Sequence, residues 1–89
     1  MRVRIPTILR SYTGGAAEVT AAPGTLRQVL AALDLSYPGI AGRILDDDGK
    51  LRRFVNVYVS EEDVRFAQGL DTDVPEGAQV SVIPAVAGG

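Results

Sequence analysis

Few groups in this sequence can take part in chemistry, and the most unusual of them stands at the end. Residues Gly88 and Gly89 close the chain, so a carboxylate on Gly89 is a reactive group with no side chain beside it. Neither glycine carries a Cβ, and another protein's backbone can approach them closely. The five residues 85–89 reach about 17 Å when extended, enough to thread a narrow channel into a partner's active site. A bulky side chain at Gly88 would clash in such a channel. Capture of a free C-terminal carboxylate is a recurrent recognition mode. Two terminal glycines are a weak signal by themselves, since at about 7% glycine usage they arise by chance roughly once in 200 chains. Frayed termini and cloning scars end the same way. The pair gains weight because it follows a predicted strand by only a few residues.

The side chains offer little competition. There is no cysteine and no histidine, which removes a thiol nucleophile, a catalytic imidazole and the usual zinc ligands. A Ser-His-Asp triad is impossible within this chain. Asp46, Asp47 and Asp48 are adjacent, whereas an EF-hand loop alternates its carboxylates and ends in glutamate, so a solvated turn is favoured over a cation site. Gly14-Gly15 lacks the lysine and helix of a phosphate cradle. Arg52-Arg53 reads as a solvated pair at the start of a strand, and Glu61-Glu62-Asp63 as a polar turn. Any chemistry therefore falls to the terminal carboxylate or to a partner.

Length and charge set the class. With 89 residues, 46% hydrophobic and 22% charged, the chain supports one domain with one modest core. The net charge of −2 and the scattered arginines argue against a nucleic-acid partner. No apolar run approaches the roughly 20 residues that span a bilayer. Residues 1–6 alternate like a strand and do not form a signal-peptide core, so the expected location is the cytoplasm.

The elements that position the tail follow from periodicity. Alternation from Arg2 to Leu9, with Val3, Ile5 and Leu9 on one side, predicts a half-buried strand. Thr13-Gly14-Gly15 supplies a turn, and Ala17 to Ala21 returns as the second strand of a hairpin. Pro23-Gly24 breaks the chain before Thr25, which has the capping-box spacing to Gln28. Leu26, Val29, Leu30 and Leu33 then form one apolar stripe of a helix. Pro38-Gly39 closes it, and Ile40 to Leu45 forms a short further turn of helix. Phe54 to Val59 is the clearest strand, Val64 to Phe66 a brief extended piece, and Gln79 to Pro84 the last strand. This order is an α+β plan: a mixed four- to five-stranded sheet curled around one main helix. A right-handed crossover places the last strand beside the first, at the sheet centre. That arrangement is the ubiquitin-like β-grasp. The chain divides into a domain at 1–84 and a tail at 85–89, the tail expected to be flexible when free.

The ending Ile83-Pro84-Ala85-Val86-Ala87-Gly88-Gly89 resembles that of the ThiS/MoaD sulfur carriers. The stretch Phe54 to Val59, with Glu62 to Phe66, Gly69 to Thr72 and Ile5 to Arg10, is similar to one branch of that family, the CysO-type carriers of actinobacterial cysteine biosynthesis. The sequence departs from the branch around Ala16 to Gly24 and at Ser60, where an asparagine is expected.

The resemblance implies a mechanism in which the protein is a carrier and not an enzyme. An E1-like enzyme uses Mg-ATP to adenylate the Gly89 carboxylate, and a sulfur donor displaces AMP to leave a thiocarboxylate. Val86, Ala87, Gly88 and Gly89 thread the partner's active site, and the carrier itself binds no cofactor or metal. In the cysteine branch the acceptor is an activated serine derivative on a PLP-dependent cysteine synthase, and a metalloprotease then releases cysteine. Thiamine, molybdopterin or thiosugar biosynthesis and protein modification remain alternative destinations. Strand alternation adds a docking face: with Val55, Val57, Val80 and Val82 turned inward, Phe54, Tyr58 and Ile83 lie on the open side of the sheet with Arg2 and Arg4. An apolar cluster rimmed by arginines has the make-up of an interface core.

Overall fold

The computed structural model describes residues 1–84. Five strands form the main sheet: β1 (Arg2–Arg4), β2 (Glu18–Thr20), β4 (Val55–Val59), β5 (Glu62–Asp63) and β7 (Gln79–Pro84). Their order is β2-β1-β7-β4-β5, with β1 parallel to β7 and the other neighbours antiparallel. The last strand therefore lies at the centre beside the first, as the crossover argument expects. A two-residue ladder of β3 (Gly24–Thr25) with β6 (Asp73–Val74), not foreseen from sequence, lies outside this sheet.

Helix α1 (Leu26–Ser36) covers one face. Thr25 Oγ1 accepts from the Gln28 amide at 3.3 Å, and the Gln28 side chain accepts from the Thr25 amide at 2.9 Å, which completes the capping box. Gly24 leaves room for that box, because a Cβ there would meet Gln28 Oε1 at 2.5 Å. The predicted stripe Leu26, Val29, Leu30 and Leu33 is buried, as are Val3, Val57, Val80 and Val82 from the strands. Full burial of each such side chain is worth about 1.5–3 kcal/mol, so this layer is the main source of cohesion. A short helix α2 (Ala41–Ile44) follows, contributing the buried Ile44.

Two predicted extended segments are corrected. The first strand stops at Arg4, and Thr7–Thr13 forms a 3-10 helix closed by Gly14 at φ 67°. Pro6 is the cause: it has no N–H to continue a ladder, and it serves as the cap of the new helix. Alternation misled because Leu9 is buried from either conformation. Likewise Val64–Phe66 is a 3-10 turn, begun by the Asp63 carboxylate accepting from the Arg65 amide at 2.9 Å. Only Glu62–Asp63 pair as strand there.

Ser60 has φ 58°, the single non-glycine positive φ among the described residues. It heads the two-residue connection between Val59 and Glu62, which are register partners. Such a position favours residues that tolerate the left-handed region, glycine, asparagine and aspartate above all. Ser60→Val is expected to destabilise the fold by about 1–2 kcal/mol, whereas Ser60→Gly is neutral or stabilising by about 0.5 kcal/mol. Urea midpoints in the order Gly, Ser, Val would check this.

Candidate functional site

The site is built on β7. Its alternation sends Val80 and Val82 toward α1 and leaves Ile83 47% exposed on the open face. The last register pair among the described residues is Val55 with Pro84. Strand β7 thus carries the chain through the middle of the sheet as far as Pro84. Val86, Ala87, Gly88 and Gly89, like the rest of the tail at 85–89, lie outside the described residues.

The five side chains assigned to the docking face fall into two groups. Arg4 and Tyr58 stand opposite Ser81 from its two sides and share one row across the sheet. Ile83 stands opposite Asn56, one row nearer the tail root. Phe54, just before β4, is half exposed, and the Arg53 guanidinium lies 6.0 Å from its ring centroid. Arg2 is set apart in the row of Gln79, at the other end of β7, and its guanidinium lies 4.0 Å from the Glu18 carboxylate.

Sequence reasoning missed several residues beside this face. A cleft of about 510 Å³ is lined by Arg4, Pro6, Ile8, Arg10, Ile83 and Pro84 among others. A second, of about 260 Å³, is lined by Ile8, Arg43, Arg52 and Pro84 among others. Pro84, the last described residue, borders both. Ile8 is 70% exposed because the 3-10 helix, and not a strand, carries it. Nothing short of recognising Pro6 as a strand stop would have placed it there.

The arginines of this end are held by neutral acceptors. Arg10 Nε donates to the Ile5 carbonyl at 3.1 Å, and Arg43 Nε to the Tyr12 hydroxyl at 2.8 Å. Arg52 Nε and Nη2 donate to the Gly42 carbonyl at 3.1 and 2.8 Å. Arg65 donates to Asn56 Oδ1 and to the Arg52 carbonyl, each at 2.6 Å. The Tyr12 hydroxyl's hydrogen bond pushes the Arg43 pKa above its usual value. The Asp46 carboxylate, by contrast, is spent on its own turn, accepting from the Asp48 and Lys50 amides at 2.9 and 3.0 Å. Among the described residues no cluster of three or more carboxylates offers a metal site.

A central β7 flanked by parallel β1, with one helix across a single face, defines a ubiquitin-like β-grasp protein. The chain belongs to the ThiS family, whose model matches residues 3–89. It is 52% identical to the sulfur carrier protein CysO of Mycobacterium tuberculosis, covering 98% of this chain and 96% of that protein. It is 40% identical over 65 residues to small archaeal modifier protein 3 of Haloferax volcanii, covering 73% of this chain and 70% of the relative. The crystal structure of the Amycolatopsis orientalis BexX/CysO complex contains a chain that superposes with a TM-score of 0.92 at 44% identity, covering 99% of this chain and 98% of that one.

Proposed function

We propose that this protein carries sulfur on its C-terminus: the Gly89 carboxylate is adenylated by an E1-like enzyme and converted to a thiocarboxylate that serves cysteine biosynthesis. The observation that carries this reading is the 52% identity to a sulfur carrier over almost the whole of both chains. The geometry supports it, since β7 brings its root, Pro84, out of the sheet centre beside an exposed apolar and cationic face.

A Gly89 carboxylate oxygen attacks the α-phosphorus of ATP, and pyrophosphate leaves with its magnesium. Hydrosulfide then adds to the acyl carbon and AMP departs, carrying away the oxygen that joined it to phosphorus. Activation is needed because a carboxylate is a poor electrophile until an oxygen becomes a good leaving group. The partner's cationic groups and metal stabilise the phosphoryl charge. The thiocarboxylate sulfur is ionised near neutral pH and is a soft nucleophile like a thiolate. It attacks an activated serine derivative on a PLP-dependent cysteine synthase and displaces that derivative's leaving group. A metalloprotease later hydrolyses the adduct, returning Gly89 and releasing cysteine. The protein is a reusable carrier and a substrate of these enzymes; it supplies no catalytic side chain. The cytoplasm, where ATP and these enzymes meet, is its expected location.

Its test is ATP–pyrophosphate exchange catalysed by the host's E1-like enzyme. Exchange that requires this protein supports the reading, and no exchange above the enzyme-only rate overturns it. A second reading, conjugation of Gly89 to a target lysine, draws on the likeness to the archaeal modifier. Higher-mass conjugates in host cells would favour it, and their absence would count against it.

A further inference from the structure

Arginines that are scattered in the sequence converge in the fold. Of the nine Lys and Arg residues, six (Arg4, Arg10, Arg43, Arg52, Arg53 and Arg65) lie around the end of the sheet where β7 finishes. Arg4 and Arg10 line the cleft on one side of Pro84, and Arg43 and Arg52 the cleft on the other. Arg65 is tied to Arg52 and Asn56, the residue opposite Ile83. Arg53 lies beside the Phe54 ring.

Among the described residues none of the six is paired with a carboxylate. The ion pairs among the described residues use Arg2, Arg27 and the N-terminal amine, and no described carboxylate lies within 4.0 Å of any of these six arginines. This holds although Asp46 to Asp48 lie just before Arg52 in the chain and although the protein as a whole is acidic. Four of the six instead donate to carbonyl, hydroxyl or amide oxygens. Such bonds fix a guanidinium's position while leaving its charge uncompensated. Exposed apolar side chains, Ile8 and Ile83, stand among them. At the other end of the sheet Glu61 and Glu62 adjoin the β4–β5 turn, where the Ser60 amide donates to the Gln79 carbonyl at the start of β7, and Glu18, the register partner of Arg4, has its carboxylate 4.0 Å from the Arg2 guanidinium.

We infer that the protein docks through this arginine collar, with the tail root at its centre, onto an acidic rim surrounding the channel of its activating enzyme. The proposal rests on the carrier reading above and names the chemistry of the partner surface. Fixed charge around a threading segment does two things. It steers encounter so that the tail end leads, and it rejects surfaces of the same sign. Clefts with low-dielectric walls focus such a field, and both flanking clefts are of that kind in having Ile8 in their lining. A net-acidic protein that presents one cationic end is thereby oriented before contact.

The test uses pyrophosphate exchange with the host's E1-like enzyme across a salt series. Arg4→Glu and Arg53→Glu are chosen because neither side chain holds a backbone group in place, and circular dichroism verifies folding. Arg27→Glu, on α1 and paired with Asp71, changes net charge by as much as either single collar substitution, away from the collar. It is compared with each single variant as well as with the double one. The expected result at low salt is a fall in kcat/KM of about tenfold or more for the double collar variant. Its kcat at saturation stays near wild type, and its salt dependence flattens because screening has less attraction to remove. Arg27→Glu stays within about twofold. Equal effects from Arg27→Glu and the collar variant, or no salt dependence in wild type, would overturn the proposal. So would an unaltered kcat/KM in the collar variant alongside its loss of binding to a single-stranded DNA oligonucleotide, which would assign the collar to nucleic acid. If wild type itself supports no exchange, the carrier reading fails, and the collar is not what failed.

Discussion

Deletion of Gly88 and Gly89 is expected to abolish adenylation and to leave the fold intact. The deletion withdraws the reacting carboxylate by two residues, about 7 Å of extended chain. Misplacement of a reacting group by 1 Å can cost about 100-fold, so kcat/KM in pyrophosphate exchange is expected to fall by more than about 10³-fold. Thermal stability is expected to change little, because the described core is built from Val3 to Val82 and substitutions or losses away from a core usually shift stability by no more than about 0.5 kcal/mol. Gly88→Val should reproduce much of the loss while keeping the carboxylate at its full reach, since the added side chain must pass through a channel shaped for backbone. A truncated protein that is activated as well as wild type would mean that the two glycines are incidental.

The second large effect separates the two faces of β7. Val80 is fully buried in the central strand, paired with Val3 on one side and Val59 on the other. Val80→Asp removes its apolar contacts and buries a carboxyl with no partner, at a combined cost of more than about 4 kcal/mol. For a domain of this size, whose total stability is roughly 4–13 kcal/mol, that is enough to unfold much of the population. Ile83 lies three residues on, 47% exposed. Ile83→Asp should change stability by less than about 1 kcal/mol. It should nevertheless lower kcat/KM in exchange by about tenfold or more, because in the docking proposed above an apolar anchor is replaced by a charge of the wrong sign for an acidic partner surface. Circular dichroism and exchange measured on both variants give opposite patterns: lost fold for the first, retained fold with weakened docking for the second. A folded Val80→Asp protein would contradict the placement of β7 at the centre of the core.

Much of the fold was legible because the sequence states it redundantly. The capping box at Thr25 and Gln28, the Leu26-Val29-Leu30-Leu33 stripe and the valine alternation in β4 and β7 each specify one element by local chemistry, and they agree with one another. What failed was the extent of elements. Arg2 to Leu9 keeps a plausible strand pattern past Pro6, because a 3-10 helix can bury Leu9 as well as a strand can. Val64 looked extended for a similar reason, being fully buried within a single turn. The open-face positions of Tyr58 and Ile83 follow from period 2 alone. The arginine collar does not, since Arg10, Arg43, Arg52 and Arg65 come from four separate segments and meet only through hydrogen bonds to carbonyls, a hydroxyl and an amide that no local pattern announces.

The most direct measurement is the intact mass of the protein isolated from its native host, with mapping of its C-terminal peptide. The expected result is a population in which one oxygen of Gly89 is replaced by sulfur, together with a cysteine adduct on the same residue if cysteine biosynthesis is the destination. An unmodified Gly89, even after incubation with ATP, sulfide and the host's E1-like enzyme, would contradict the assignment of this protein as a sulfur carrier.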